Sequence, residues 1–234
     1  MKKIVSLVFI ISIILLTSCK KEISDLEFEK NVMTEIFPSL IDSTYIDYRF
    51  FSVVKPPLYG KIIFDDNGNK IGIDTTNAKA NYERELLEQK SKMAQIEKDT
   101  SKLILAFNPI LKYDQEDLTE YFKTHFKKAK TLIPKATKDS VYLFEYKNIK
   151  LSNKFKIKDI SLFPKGREIW KTKYPFIFNG VIYFTRIQFD LDKRFGILNG
   201  GFTCDRHCGQ GFRIFIKKVN EKWIIDKVES TWVS

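Results

Sequence analysis

The C-terminal fifty residues alternate β-prone segments with very short polar links, and this pattern constrains the fold more than any other feature. Four strands are predicted here, at 181–190, 194–204, 211–219 and 222–233. A link of only a few residues is too short for a crossover, so successive strands must be antiparallel neighbours. The region is therefore expected to form an antiparallel β-meander.

Upstream of the meander, the pattern changes to helical spacing with one interruption by a hairpin. Apolar residues recur at helical spacing over 31–42, where Pro38 either opens a second helical turn or breaks the helix. The Asn67-Gly68 pair between two β-prone runs predicts a hairpin over 61–73. Two further helices are predicted, at 77–98 and 114–130.

Helices followed by a run of antiparallel strands define an α+β fold class. The expected architecture is N-terminal helices and a hairpin, followed by a C-terminal antiparallel β-meander of about four strands. Residues 29–234 are long enough for one domain with a real core, and a subdomain boundary is expected near 134–140, beyond Pro134.

The first nineteen residues have the organisation of an export signal. Lys2 and Lys3 precede an apolar run over 4–16, and the charged residues Lys20 and Lys21 stop the run soon afterwards. About 13 residues at about 1.5 Å each reach roughly 20 Å, which is short of the roughly 30 Å hydrocarbon core of a bilayer. Residues 1–18 are therefore predicted to be a signal peptide rather than a membrane span.

The segment Leu16-Thr17-Ser18-Cys19 resembles the lipobox of bacterial lipoprotein precursors. The resemblance implies cleavage before Cys19, lipidation of its thiol with palmitate-type acyl chains, and a tether over 19–28. Lipoproteins that carry aspartate after the cysteine stay in the inner membrane, whereas here the residue is Lys20. The resemblance therefore implies anchoring in the outer membrane, facing the periplasm or exposed on the cell surface as in some lipoproteins of the Bacteroidetes group.

An envelope location makes a disulfide the expected state of the two remaining cysteines, Cys204 and Cys208. A metal site that includes His207 is an alternative, although structural zinc usually needs four ligands. A free redox-active pair is a third reading. The pair is predicted to face across a hairpin tip, where four glycines would allow β-bulges: Gly200, Gly201, Gly209 and Gly211.

The chain is basic, and its lysines offer one clue to a partner. The formal charge of +11 falls to about +9 once Lys2 and Lys3 leave with the signal. Such a balance suits anionic lipid or acidic glycan, and a solvated lysine surface is the alternative. Nucleic acid is not expected, because the compartment is wrong for it. The candidate anion-binding residues lie on the predicted 114–130 helix: Lys123, Lys127, Lys128 and Lys130.

Catalytic fingerprints are missing from the sequence. It contains no Gly-x-Ser-x-Gly elbow, no His-Glu-x-x-His pair and no phosphate-binding glycine loop. We therefore expect no cofactor and no metal, and predict a lipid-anchored envelope protein with a non-catalytic binding or structural role. Two alternatives stay open: an envelope hydrolase with dispersed site residues, and a small-ligand carrier with a pocket between the helices and the meander.

Overall fold

The computed structural model describes residues 23–50, 59–135, 140–151 and 154–234. Cys19 and the export signal lie outside these residues. The described helices are α1 (Asp25–Thr44), α2 (Ala78–Lys98), α3 (Thr119–His125) and α4 (Glu168–Lys171), with a 3-10 turn at Ile160–Leu162. The described strands are β1 (Lys61–Phe64), β2 (Lys70–Asp74), β3 (Leu103–Phe107), β4 (Ile110–Lys112), β5 (Val141–Leu143), β6 (Phe155–Asp159), β7 (Ile177–Phe184), β8 (Gln188–Phe189), β9 (Phe195–Asp205), β10 (Cys208–Val219) and β11 (Lys222–Val233).

Helix α1 begins earlier and ends later than its apolar pattern predicts. The side chain of Ser24 accepts a hydrogen bond from the Glu27 N–H and caps the helix. The last part of the predicted tether, 25–28, is therefore the first helical turn. Pro38 lies inside the helix without breaking it. Its ring removes one N–H donor, but the buried apolar stripe holds the helix together on both sides of it: Val32, Met33, Ile36, Phe37, Leu40 and Ile41.

The α+β prediction is confirmed, but the sheet is larger than the expected meander of about four strands. Seven strands form it, in the order β11-β10-β9-β7-β3-β6, with the short strand β8 paired to β9. Strand β3 runs parallel to both β6 and β7. These parallel pairs join segments that are distant in sequence, so they leave no local turn signal.

The strand predicted at 181–190 is interrupted between β7 and β8. At this point the Arg186 N–H donates to the Lys112 carbonyl, 2.9 Å away, instead of continuing the ladder with β9. The last hairpin follows its prediction closely. Asn220 and Glu221 both adopt positive φ, at 48° and 63°, as a two-residue turn between twisted strands requires.

Alternating side chains give the sheet two faces with different coverings. Helix α1 packs on the first face, where Leu198, Phe202 and Ile214 belong to the main core. Helix α3 packs on the second face, where Phe122 contacts a smaller cluster that includes Ile197 and Phe215. Helix α3 is shorter than the predicted 114–130 helix, since the Asp114 and Asp117 side chains hold their own segment in turns.

A buried ion pair joins α1 to the sheet on the first face. Glu29 and Arg186 are 2% and 4% exposed, and the Arg186 guanidinium donates to both Glu29 oxygens over 2.5 to 3.2 Å. The Ile187 N–H also donates to the Glu29 carboxylate, at 3.0 Å. Every one of these bonds compensates part of the cost of removing two charges from water.

Candidate functional site

A recess of about 420 Å³ lies on the second face of the sheet, beyond the part that α3 covers. Its wall combines charged and amide side chains with exposed aromatic rings. We call it the aromatic–carboxylate site and define it by seven residues: Asp114, Glu116, Tyr121, Tyr183, Asn199, Arg213 and Trp232.

Strand register explains how residues distant in sequence meet at this site. Asn199 on β9 and Arg213 on β10 are direct cross-strand partners, so their side chains share one face. Trp232 on β11 pairs with Gly211 and lies toward the same end of the sheet. Tyr183 on β7 pairs with Gly201 on β9. Four neighbouring strands thus supply side chains to the recess.

The two carboxylates come from the loop between β4 and α3. Asp114 caps a local turn by accepting the Glu116 N–H at 2.9 Å. Lys135 holds the same loop from the other side, since its ammonium donates to the carbonyls of Asp114 and Glu116, both at 2.7 Å. The loop is therefore fixed in place by its own turn chemistry and by one distant lysine.

Both carboxylates bond to the floor of the site. The Asn199 side-chain N–H₂ donates to Asp114 at 2.8 Å and to Glu116 at 3.3 Å. The Arg213 guanidinium donates to Glu116 at 2.7 Å. Arg213 is buried, whereas the Glu116 side chain is 41% exposed, so this carboxylate reaches from the floor to the solvent.

Two polar atoms of the floor are buried and have no hydrogen-bond partner among the described residues: Asn199 Oδ1 and Arg213 Nε. Buried polar groups are nearly always paired, and an unpaired one costs about 1–3 kcal/mol. One of these atoms is an acceptor and the other a donor, and they belong to cross-strand neighbours. A ligand that offers both a donor and an acceptor would complement them.

Three aromatic side chains form the rim, and each remains substantially exposed. Tyr121, Tyr183 and Trp232 are 43%, 39% and 40% exposed. The Tyr121 ring covers the Arg213 guanidinium, whose Cζ lies 3.4 Å from the ring centroid, a cation–π contact. Trp232 and Tyr183 are neighbours on this rim.

The electrostatics of the rim favour a neutral tyrosine. Burial raises the pKa of Tyr183, the negative charge of Asp114 raises it further, and the hydrogen bond from Trp232 opposes part of this rise. Tyr183 consequently keeps its O–H proton at physiological pH and can act as a hydrogen-bond donor.

The four candidate anion-binding lysines do not lie on one helix. Helix α3 ends at His125, so Lys127, Lys128 and Lys130 follow it in a non-helical segment. Lys123 pairs with Glu120, and Lys130 pairs with Asp192 at 2.8 Å. The structure thus does not assemble the four lysines into a cationic helix face.

Cys204 and Cys208 lie at disulfide distance across the β9–β10 tip, with Cα atoms 5.1 Å apart. His207 is exposed in the tip turn. The ladder is irregular beside the tip, with register shifts at Cys208/Gly209 and Gly211/Phe212, as the glycines there predict.

Within the part of the chain that the structure describes, no three His, Cys, Asp or Glu side chains are grouped to hold a metal ion.

A second cavity lies where the carrier alternative places a pocket, between α1 and the sheet. It measures about 270 Å³ and is lined by residues of the α1 N-terminus and of β8. Arg186, which contributes to its wall, is already bonded to Glu29. Gln188 in the lining of this cavity has one buried oxygen without a partner among the described residues. The aromatic–carboxylate site is larger and more polar, and it holds two such atoms, on Asn199 and Arg213.

Comparison with known proteins identifies no relative of this chain. No protein-family model, no curated protein and no solved structure matches the chain. Among the helices of residues 23–50, 59–135, 140–151 and 154–234, none combines the length and the apolar character that crossing a membrane requires. Functional inference therefore depends on the geometry of the site and on the sequence motifs.

Proposed function

We propose that this chain is a lipid-anchored envelope protein that binds a small polar ligand at the aromatic–carboxylate site. One observation carries the binding role. Two buried polar atoms that have no hydrogen-bond partner in the described part of the chain, Asn199 Oδ1 and Arg213 Nε, belong to a recess that three exposed aromatic rings surround. Natural binding sites combine apolar walls with a few convergent polar groups in this way.

The anchor supports the same role, because it would hold the site close to a membrane surface. Cys19 precedes the helix cap Ser24 by five residues. Even fully extended, so short a segment reaches only about 17 Å. We propose that the lipid on Cys19 places the domain at the outer membrane, and that this domain captures ligands there without chemical conversion.

Metabolic labelling tests the anchor. Cells that express the full chain are grown with radioactive palmitate, and Cys19→Ala is compared with the unaltered protein. The proposal predicts a labelled membrane-bound protein that loses its label in Cys19→Ala. Cys204→Ala serves as the matched control and keeps the label. Equal labelling of Cys19→Ala and the unaltered chain would contradict the anchor.

A thermal-shift screen of the detergent-solubilised lipoprotein tests the binding role. The library contains organic acids, amines, nucleosides, peptides and saccharides. A ligand of the site raises the melting temperature of the unaltered protein through mass action, and Trp232→Ala abolishes the rise. Phe64→Ala removes another exposed aromatic ring, on β1, and leaves the rise unchanged. A screen without any Trp232-dependent shift would overturn the proposal.

Hydrolysis is the second candidate, and one observation favours it. Asp114 and Glu116 both bond to the same Asn199 nitrogen, and paired carboxylates can divide the acid and base steps of bond cleavage. Product analysis of every ligand from the screen separates the candidates. Turnover that disappears in both Asp114→Asn and Glu116→Gln would assign a hydrolase, and unchanged ligand after prolonged incubation supports binding alone.

A further inference from the structure

We infer that the ligand of the aromatic–carboxylate site is a neutral saccharide that presents a vicinal diol. The inference rests on the proposed binding function and names the chemical class that the site takes. Three features of the site support this inference. One face of the Trp232 ring rests on β10, one acceptor and one donor are unpaired in the floor, and the charges of the site balance.

The Trp232 indole forms a platform with one covered face. A Cβ atom at Gly211 would lie 2.0 Å from the indole Nε1, and a Cβ at Gly209 would lie 3.1 Å from two of its ring carbons. The indole therefore lies directly on the backbone of β10, and only glycine permits this approach. Trp232 is 40% exposed, so part of the ring that does not contact β10 can pack against the C–H face of a sugar ring.

The two unpaired atoms of the floor would be complemented by ligand groups that can both donate and accept hydrogen bonds. Asn199 Oδ1 needs a donor and Arg213 Nε needs an acceptor, and a hydroxyl group provides either. Cross-strand partners have Cβ atoms about 4.5–5.5 Å apart, so the ends of two such side chains can converge on hydroxyls of adjacent carbons. The exposed Glu116 carboxylate and the Tyr183 hydroxyl add an acceptor and a donor at the rim.

Reaching the Arg213 guanidinium requires a movement of Tyr121. The Tyr121 ring covers the guanidinium of Arg213, and Tyr121 lies on the seven-residue helix α3. Rotation of this exposed ring would open the guanidinium to a ligand hydroxyl and would let the ring close over the bound sugar. The aromatic ring thus changes its contact from a cation to a ligand without loss of apolar packing.

The charges of the site balance, which favours a neutral ligand. Asp114 and Glu116 are offset by Arg213 and by Lys135, which donates to the backbone of both acidic residues. A ligand with a full charge would find no unpaired counter-charge in the site to offset its loss of hydration. The volume of about 420 Å³ lies in the range of small-ligand sites and suits one or two sugar rings.

A glycan array tests the inference with the complete lipoprotein in a zwitterionic detergent, because detergents with sugar head groups would compete. The array carries neutral, acidic and amino-sugar oligosaccharides. Binding is expected for neutral members and should disappear after periodate treatment, which cleaves vicinal diols. Trp232→Ala and Glu116→Gln should each weaken binding about tenfold or more, whereas Phe64→Ala should have no effect.

Each outcome decides the matter. Binding of periodate-treated glycans, preference for charged glycans, or full binding by Glu116→Gln and Trp232→Ala would overturn the inference. Circular dichroism confirms the fold of each variant, and Glu116→Gln keeps the test valid where Trp232→Ala fails to fold. An array without binding, together with a Trp232-dependent shift for a ligand that is no sugar, overturns the saccharide while the binding function stands.

Discussion

Two buried polar clusters, one on each face of the central sheet, are hydrogen-bonded to different extents. On the face that packs against α1, the Glu29 carboxylate takes hydrogen bonds from Arg186 and from the Ile187 N–H, and helix and sheet exclude water from all three. On the face beyond α3, Asn199 Oδ1 and Arg213 Nε are buried without a partner among the described residues. The charges of the first cluster are paired within the protein. The second cluster keeps one acceptor and one donor that a ligand could hydrogen-bond.

We infer from this difference that the cluster on the α1 face contributes to folding stability and that the cluster in the aromatic–carboxylate site contributes to ligand binding. Separating α1 from the sheet would break the buried Glu29–Arg186 ion pair, which costs free energy. Two unpaired buried polar atoms beneath an open recess lower the free energy of unfolding, and a ligand that hydrogen-bonds to both would offset that cost. The division predicts that substitutions on the α1 face change folding, and that substitutions in the aromatic–carboxylate site change binding.

The largest effect on stability is expected for Glu29→Ala. The substitution leaves the Arg186 guanidinium buried without its carboxylate, which should lower the free energy of unfolding by about 3–5 kcal/mol. Glu27→Ala changes an exposed residue two positions earlier in the same helix and should lower it by less than about 0.5 kcal/mol. Urea denaturation measures both. A loss below about 1 kcal/mol for Glu29→Ala would contradict the role of the α1 face.

Removal of the cross-link at the β9–β10 tip should have a smaller effect. Replacing both Cys204 and Cys208 by serine removes a loop closure of about five residues, worth about 2 kcal/mol in the chain-entropy model. Denaturation of the unaltered protein with and without reductant, compared with the double variant, measures this contribution. Equal stability in all three samples would show that no disulfide forms between these cysteines.

The smallest of these stability effects concerns acid sensitivity under α3. Asp226 accepts from His125 at 2.7 Å and from Lys217 at 2.5 Å. Burial raises the pKa of Asp226, but these hydrogen bonds and positive charges outweigh burial and hold its pKa below the usual value. A lowered folded-state pKa stabilises the fold above the unfolded pKa of about 3.9, and this stabilisation is lost as pH falls through the folded value.

Asp226→Asn removes this pH dependence. The variant should be destabilised by no more than about 1 kcal/mol at pH 7, and its stability should fall less steeply than that of the unaltered protein below about pH 4. Asp66→Asn, in the exposed β1–β2 turn, is the matched control. Identical acid profiles for Asp226→Asn and the unaltered protein would show that the cluster under α3 does not depend on this carboxylate.

Local patterns in the sequence predict most of the secondary structure, because each depends on neighbours along the chain. The spacing over 31–42 predicts the core stripe of α1, and Asn67-Gly68 predicts the β1–β2 hairpin, which the structure confirms. Helix α3 is the main local error. The predicted helix begins at Asp114, whereas in the structure the Asp114 side chain holds a turn and also bonds to Asn199.

The site could not be predicted, since it depends on contacts between distant parts of the chain. Asp114 and Asn199 are 85 residues apart, and their meeting requires the place of β9 in the sheet and the course of the loop before α3. One local signal existed. Gly209 and Gly211 on β10 predict a bulged tip, but the sequence alone does not show that their second role is to receive the Trp232 ring.

Saccharide affinity of Trp232→Ala, measured by titration calorimetry, tests the division between the two faces most directly. The titrant is the neutral oligosaccharide that binds most strongly on the array. The account predicts an affinity at least about tenfold weaker than that of the unaltered protein, with the unfolding free energy lowered by less than the about 3–5 kcal/mol expected for Glu29→Ala. An unchanged affinity in this variant would contradict the account.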